Sequence, residues 1–272
     1  MKSTMCLIVF SYREHSDYRL ILAANRDEFY ARPTAALMAW EDAPGIIAGR
    51  DKLGRGTWLG ITRAGRFAAV TNYRDPPVTR PDAPSRGLLV SDFLRGRDAP
   101  RAYMENLRGR AHRYQGFSLL VGDVQTIYYF CNRDNDVREL GSGTYGLSNR
   151  LLDTPWPKVW RAKRALNELI RANAVTPAGL LELLMDTRKA SDQELPDTGV
   201  GLALERQLSP IFISGDAYGT RSSTALLITN QGDVSVTERA HPQGEITSFE
   251  WRLDVDYTAP NQIDTLHALK RD

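Results

Sequence analysis

The first apolar run of the chain reads Met5-Cys6-Leu7-Ile8-Val9-Phe10 and places a cysteine directly behind a methionine. If translation starts at Met5 and this methionine is trimmed, Cys6 becomes the first residue of the mature chain. A cysteine at a free N-terminus carries both a nucleophilic thiol and an α-amine, whose unperturbed pKa is roughly 8. The stretch therefore predicts an N-terminal nucleophile or, as for most free cysteines, a small buried residue on a strand.

The composition limits the classes of function. The chain has 272 residues, of which 42% are hydrophobic and 25% charged, as in a globular protein with its own core. Its formal net charge of +2 predicts no general affinity for nucleic acid. No run approaches eighteen apolar residues, and the run after Met1–Thr4 is too short for a secretory signal. We therefore expect a cytoplasmic protein without a membrane span.

Cysteine and histidine usage gives no sign of a metal site. The two cysteines, Cys6 and Cys131, are too few for a disulfide framework or a zinc cluster. The four histidines show no paired spacing. We expect no metal and no cofactor.

Strand and helix patterns follow one another in blocks. Strands are predicted at Cys6 to Tyr12, Tyr18 to Ala24, Ile46 to Gly49, Thr57 to Thr62, Phe67 to Tyr73, Phe117 to Val121, Ile127 to Phe130, Ile211 to Ser214, Ser222 to Thr229, Val234 to Arg239 and Ile246 to Leu253. Helices are predicted from Ser85 to Leu94, with Ser85 as the cap, and from Ala99 to Arg108, Pro157 to Ala172 and Thr176 to Met185. A polar loop, Asp186 to Leu204, is long enough for a lid. This order predicts an α+β fold of two mainly antiparallel sheets with helices on the outer faces, as a single domain over residues 1–272.

Four polar residues, Asn25-Arg26-Asp27-Glu28, follow the second predicted strand. The hairpin would bring them back toward Cys6. Alternation along a strand puts Asn25 and Asp27 on one face and Arg26 and Glu28 on the other. If Asp27 points at Cys6, its carboxylate can orient the α-ammonium, and Arg26 then reaches the site only where the strand bulges. A cation near the thiol would lower the thiol pKa.

Three further polar residues stand at strand boundaries. Asn72 and Asn149 each end a predicted strand and carry amide donors suited to a tetrahedral oxyanion, although turn capping is the ordinary role of such asparagines. Arg221 precedes an apolar strand, where a surface salt bridge would be ordinary.

These residues resemble a known family, since Asn25-Arg26-Asp27-Glu28 is similar to the motif that names the NRDE, or transport and Golgi organisation, family. Further similar blocks are Ala48-Gly49-Arg50-Asp51, Gly56-Thr57-Trp58-Leu59-Gly60, Thr71-Asn72-Tyr73-Arg74, Ser85-Arg86-Gly87, Gly146-Leu147-Ser148-Asn149, Leu152-Asp153-Thr154-Pro155-Trp156-Pro157-Lys158 and Tyr218-Gly219-Thr220-Arg221-Ser222-Ser223. The resemblance runs from Met5 to about Arg239.

The resemblance implies a four-layer α-β-β-α sandwich of the N-terminal nucleophile (Ntn) hydrolase type, similar to choloylglycine hydrolases and penicillin V acylases. It assigns Cys6 as nucleophile and Asp27 as the carboxylate that orients the amine. Asn72 and Asn149 become oxyanion or substrate donors, and Arg221 closes the site. Arg26 departs from the acylase pattern, which has its arginine at the position of Ala24.

Two functions are compatible with this resemblance. The first is an amidohydrolase for a small or lipid-like substrate with a linear amide or acyl group, cleaving a non-peptide C–N bond at Cys6. The second is a non-catalytic binding or trafficking protein that handles haem, lipid or acyl-coenzyme A on the same scaffold. The sequence leaves the substrate and the oligomeric state open.

Overall fold

The computed structural model describes residues 6–74 and 82–253, which form two antiparallel sheets with helices against them. The first sheet has six strands, β1 Cys6–Tyr12, β2 Tyr18–Phe29, β10 Gly143–Leu147, β11 Tyr218–Thr229, β12 Asp233–Ala240 and β13 Ile246–Arg252. Their order in the sheet is β10-β1-β2-β11-β12-β13. Residues 1–5, where the expected N-terminal processing falls, lie outside the described part.

The second sheet is a seven-stranded meander in which every strand pairs with its neighbour along the chain. Its strands are β3 Thr34–Trp40, β4 Ala43–Asp51, β5 Leu59–Thr62, β6 Phe67–Asn72, β7 Phe117–Gly122, β8 Ile127–Cys131 and β9 Asp136–Glu139. The long strand β2 stays paired with β11 of the first sheet up to Phe29, and residues 30–33 then lead into β3 of this meander.

Helices cover the outer face of each sheet. The helices are α1 Gly87–Arg95, α2 Pro100–Arg110, α3 Pro157–Arg171, α4 Pro177–Leu183 and α5 Leu202–Leu208. The first two pack on the second sheet, and α3 and α4 pack on the first. A third apolar cluster fills the space between the sheets. The predicted four-layer α-β-β-α arrangement is therefore confirmed.

The alternation of side chains along β1 assigns each residue to a layer. Ile8 and Phe10 point into the core between the sheets, whereas Leu7 and Val9 point toward α3 and α4. At roughly 25 cal/mol for each Å² of apolar surface buried, such side chains fix which face of the strand turns inward. Cys6 precedes this pattern and lies on the face of Ile8 and Phe10.

The structure corrects several predicted elements. Ile211 to Ser214 is not a strand, although Ile211 and Ile213 are buried in the apolar cluster under α4. Ser85 does not cap α1, which has no side-chain cap. The loop from Asp186 to Leu204 contains a 3-10 turn and the start of α5, and no residue of it lines the cavity at Cys6. The single-domain organisation over residues 1–272 stays a prediction.

Candidate active site

Cys6 opens strand β1 and lies at a cavity of about 820 Å³ between the sheets. The residue as a whole is partly exposed, and its backbone carbonyl accepts a hydrogen bond from Ser148 Oγ at 2.9 Å. Three other predicted site residues, Arg26, Asp27 and Asn72, line the same cavity. The cavity is within the size range of small-molecule sites.

Arg26 lies directly opposite Cys6 in the β1–β2 pairing. Residues opposite each other in an antiparallel pair share a face, so the guanidinium of Arg26 lies on the thiol side of the sheet. The expectation that Arg26 would need a bulge in its own strand was wrong. The motif also lies within β2, which continues to Phe29, and not beyond a strand end.

Arg26 is held by contacts on several sides. Its guanidinium stacks on the Trp58 ring at 4.1 Å, donates to Thr34 Oγ1 at 3.2 Å and lies 3.9 Å from the Glu28 carboxylate. Trp58 in turn needs a glycine at position 49, because a Cβ there would lie 2.2 Å from the indole. The guanidinium is therefore fixed beside the thiol.

Asp27 points to the opposite face of β2. Thr220 Oγ1 donates to Asp27 Oδ1 at 2.6 Å, whereas Oδ2 is buried without a hydrogen-bond partner in the described structure. Burial raises the pKa of Asp27 to about 6, against the opposing effects of Lys158, of the Thr220 hydrogen bond and of Arg26. The free oxygen is one that an α-ammonium could use.

Lys158 was not among the predicted site residues. It lies in the first turn of α3 and is 2% exposed, and its Nζ has no hydrogen-bond partner among the described residues. Burial lowers the pKa of Lys158 to about 8, and the nearby Asp27 carboxylate opposes that decrease. A helix N-terminus disfavours a cation, so this placement costs stability on two counts. Its only signal in the sequence is its place in the block Trp156-Pro157-Lys158.

The Cys6 thiol is neutral in this environment. Burial and the Asp27 carboxylate raise the pKa of the thiol to about 12, whereas the Asp27 backbone N–H and Arg26 act in the opposite direction. The expected lowering of the thiol pKa by Arg26 is thus outweighed. A neutral thiol needs a base before it can attack.

The two predicted asparagine donors have different positions. Asn72, at the end of β6, lines the cavity. Asn149 is buried behind it and does not line the cavity; its Nδ2 donates to the Asn72 backbone carbonyl at 2.8 Å. Asn149 therefore contacts the backbone that carries Asn72.

Arg221 lies in a bulge of β11. Thr220 opposes Asp27 and Ser222 opposes Arg26, so Arg221 is the extra residue. Its Nη1 donates to the carbonyls of Phe29, Tyr30 and Arg32 at 3.0, 3.1 and 2.8 Å. Arg221 does not line the cavity but holds the turn after β2, which forms one cavity wall.

Asn25 has a structural environment. Its Nδ2 donates to the carbonyls of Leu184 and Ile211, both at 2.9 Å, and its Oδ1 accepts from Ser223 Oγ at 2.6 Å. These bonds tie β2 to the segments that flank α4 and α5.

Residues 6–74 and 82–253 contain no group of three or more His, Cys, Asp or Glu side chains that could hold a metal ion. Within the same ranges, each helix is too short or too polar to cross a membrane.

The chain belongs to the Transport and Golgi organisation 2 family, whose sequence model matches residues 5–243. The mouse "Transport and Golgi organization 2 homolog" is 36% identical over 268 residues, which cover 90% of this chain and 96% of the mouse protein. The predicted family is confirmed.

Two solved structures are similar at low sequence identity. The Caenorhabditis elegans ortholog of N-acylethanolamine-hydrolyzing acid amidase aligns with 82% of this chain and 92% of its own, at 12% identity and a TM-score of 0.45. A mutant of the conjugated bile acid hydrolase from Clostridium perfringens aligns with 96% of this chain and 94% of its own, at 7% identity and a TM-score of 0.42.

Proposed function

We propose that the protein is an N-terminal cysteine amidohydrolase that acts on a linear amide or related acyl substrate once the chain begins at Cys6. The observation that carries the proposal is the position of Cys6 at a cavity, with Arg26 on its own face and the unpartnered Asp27 Oδ2 behind it. The match to the family begins at residue 5, next to Cys6.

In this reaction the α-amine takes the proton of the thiol, and the thiolate adds to the carbonyl carbon of the substrate. The C–N bond breaks as the amine product leaves with that proton. Water then hydrolyses the thioester, which releases a carboxylic acid and restores the thiol. Because burial raises the thiol pKa to about 12, the α-amine is the base that the step requires.

The other predicted residues support these steps. Above a pH of about 6 the Asp27 carboxylate is ionised, and its Oδ2 can accept a hydrogen bond from the α-ammonium. Asn72 donates to the oxyanion from the cavity wall, and Asn149 positions Asn72 through the backbone. Arg221 holds the wall that Arg32 belongs to. One good oxyanion donor contributes about 3–4 kcal/mol to the transition state.

We also propose a cytoplasmic location for this activity, which agrees with the free thiols of Cys6 and Cys131.

The test compares the full chain with a chain released by proteolysis of a fusion so that it starts at Cys6. Both are incubated with an activated acyl probe and analysed by intact mass. We expect an acyl adduct only on the chain that starts at Cys6. The adduct should persist in Cys131→Ala, the matched control, and disappear in Cys6→Ala.

An unmodified chain with a verified N-terminal Cys6 would contradict the proposal. Saturable binding of haem or acyl-coenzyme A that survives Cys6→Ala, without hydrolysis, would favour the binding alternative.

A further inference from the structure

Three arginines line the cavity at Cys6, and two of them are matched by carboxylates. Arg26 lies 3.9 Å from Glu28, and Arg32 lies 2.7 Å from Asp51 and 3.5 Å from Glu28. These ion pairs neutralise both guanidinium groups within the cavity wall.

Arg86 is the third arginine, and it forms no ion pair with a carboxylate of the described residues. Its Nη1 donates to the Gly116 carbonyl at 2.9 Å. The described residues give Arg86 no other hydrogen bond, and the residue lines the cavity. A guanidinium has five N–H donors in a planar fork, so several are left for a ligand.

The position of Arg86 is fixed by close backbone packing. It immediately precedes α1, and the next residue, Gly87, packs against Gly56 so closely that a Cβ on Gly56 would lie 2.2 Å from the Gly87 carbonyl carbon. The Thr57 N–H donates to the Gly87 carbonyl at 3.2 Å. Arg86 is thus presented by a rigid segment and not by a free loop.

The charge of Arg86 is held in an unfavourable environment. Burial lowers the pKa of Arg86 to about 10 and outweighs the opposing effects of Cys6 and Glu28, while Arg32 and Arg133 act in the same direction as burial. The group nevertheless stays cationic at neutral pH. An anion on the cavity side of Arg86 would relieve this cost through charge-assisted, bidentate hydrogen bonds.

We propose that Arg86 binds an anionic group, a carboxylate or a phosphate, on the acyl compound that occupies the cavity at Cys6. The inference rests on the proposed function for what happens to that compound, but the anion site itself does not require Cys6 to react. It narrows the substrate class from any linear amide to amides that carry a negative charge.

The test uses three probes that share one acyl chain: an N-acylglycine, an N-acyl-O-phosphoethanolamine and the neutral N-acylethanolamine. Binding to the full chain carrying Cys6→Ala is measured by calorimetry. We expect at least one anionic probe to bind more tightly than the neutral probe by about 10- to 100-fold, as one charge-assisted bidentate contact predicts. The anionic probe that binds more tightly shows whether the site prefers a carboxylate or a phosphate.

Arg86→Gln should remove this preference and change binding of the neutral probe by less than about threefold. Arg86→Lys keeps the charge but loses the fork, and should keep part of the preference; it also serves if Arg86→Gln fails to fold. The matched control is Arg66→Gln, since Arg66 also donates to one backbone carbonyl, that of Phe93, but lies outside the cavity.

An equal affinity for all three probes, or an anion preference that survives Arg86→Gln, would overturn the inference. Hydrolysis of the same probes by the chain that starts at Cys6 is scored separately. Selective binding of an anionic probe without hydrolysis supports the anion site and contradicts the proposed reaction. Hydrolysis without a preference for anionic probes supports the reaction and contradicts the anion site.

Discussion

Asp27 and Lys158 are buried opposite charges, and each keeps one polar atom without a hydrogen-bond partner in the described part of the chain. Lys158 favours the ionised form of Asp27 and so opposes the effect of burial on its pKa. The two residues come from β2 and α3, so this electrostatic interaction links the site to the helical layer behind it.

Lys158→Met should raise the pKa of Asp27, because the variant loses the cation that opposes burial. We expect the acid limb of the pH profile of any hydrolysis to move to higher pH by about one unit, which is the size expected for the loss of one nearby charge. Carboxyl carbon NMR would follow Asp27 without relying on activity. The control is Lys163→Met on the same helix, where Lys163 forms an ion pair with Asp153. This variant should shift neither the pKa of Asp27 nor the pH profile. An unmoved Asp27 titration would contradict the expectation.

Asp27→Asn should change how stability depends on pH. The pKa of Asp27 is raised from 3.8 to about 6, so its contribution to stability is present below about pH 4 and lost as pH rises through 6. The loss is on the order of 3 kcal/mol in the free energy of unfolding. Urea unfolding at pH 4 to 7 should show a smaller decrease for Asp27→Asn than for the natural chain. Parallel curves for the two proteins would refute this assignment.

Thr220→Val should destabilise the protein despite its similar volume. Thr220 Oγ1 donates to Asp27 and accepts from the Ile213 N–H at 2.9 Å, so valine leaves two buried groups unsatisfied. We expect a loss of about 1–3 kcal/mol by urea unfolding and a further rise in the pKa of Asp27. Thr220→Ser keeps the hydroxyl, so it should retain most of the stability and most of the natural pKa of Asp27. A Ser variant no better than Val would point to packing instead.

Glu205→Leu should break a buried ion pair. Glu205 lies 2.5 Å from Arg74, and their side chains are only 5% and 3% exposed. Removing the Glu205 carboxylate leaves the buried guanidinium without its opposite charge, at a cost of about 3–5 kcal/mol in the free energy of unfolding. The double variant Arg74→Met/Glu205→Leu should recover much of that loss. The control is the exposed ion pair between Asp192 and Arg206. The variant Asp192→Asn should leave the free energy of unfolding almost unchanged.

Gly49→Ala should displace the indole that supports Arg26, because the new Cβ would lie 2.2 Å from Trp58. We expect a loss of about 1–3 kcal/mol in the free energy of unfolding and a changed tryptophan emission spectrum. Gly45→Ala is the matched control on the same strand, where nothing lies within 4 Å of the added atom. Equal effects of the two substitutions would exclude the role assigned to Trp58.

The sequence pattern predicts the strands and helices whose apolar residues alternate or recur clearly, and it fails where they do not. β3 reads Thr34–Trp40 and is mostly half-buried with irregular pairing, so its apolar residues do not alternate. β9, Asp136–Glu139, is an edge strand with one apolar residue, Val137, and it is identified by its pairing with β8 and not by its own pattern. Such strands depend on their neighbours in the sheet, which local periodicity cannot show.

The candidate site was predictable in part. Cys6, Arg26, Asp27 and Asn72 line one cavity, where the start of β1, the last part of β2 and the end of β6 contribute to its wall. The sequence could not reveal that Cys6 faces Arg26, since the face depends on the register of the hairpin. Lys158 and Arg86 were missed because a buried or cavity-facing cation is indistinguishable from a surface one until its surroundings are known.

Arg221 occupies a position that the sheet itself could lose. Because Thr220 and Ser222 already oppose neighbouring residues of β2, a chain shortened by this one residue could keep the side chains of β11 on their present faces. The deletion would instead release the backbone from Phe29 to Arg32. Related chains of different length could therefore share the sheet unchanged, and the difference between them would be found in the shape of the cavity mouth.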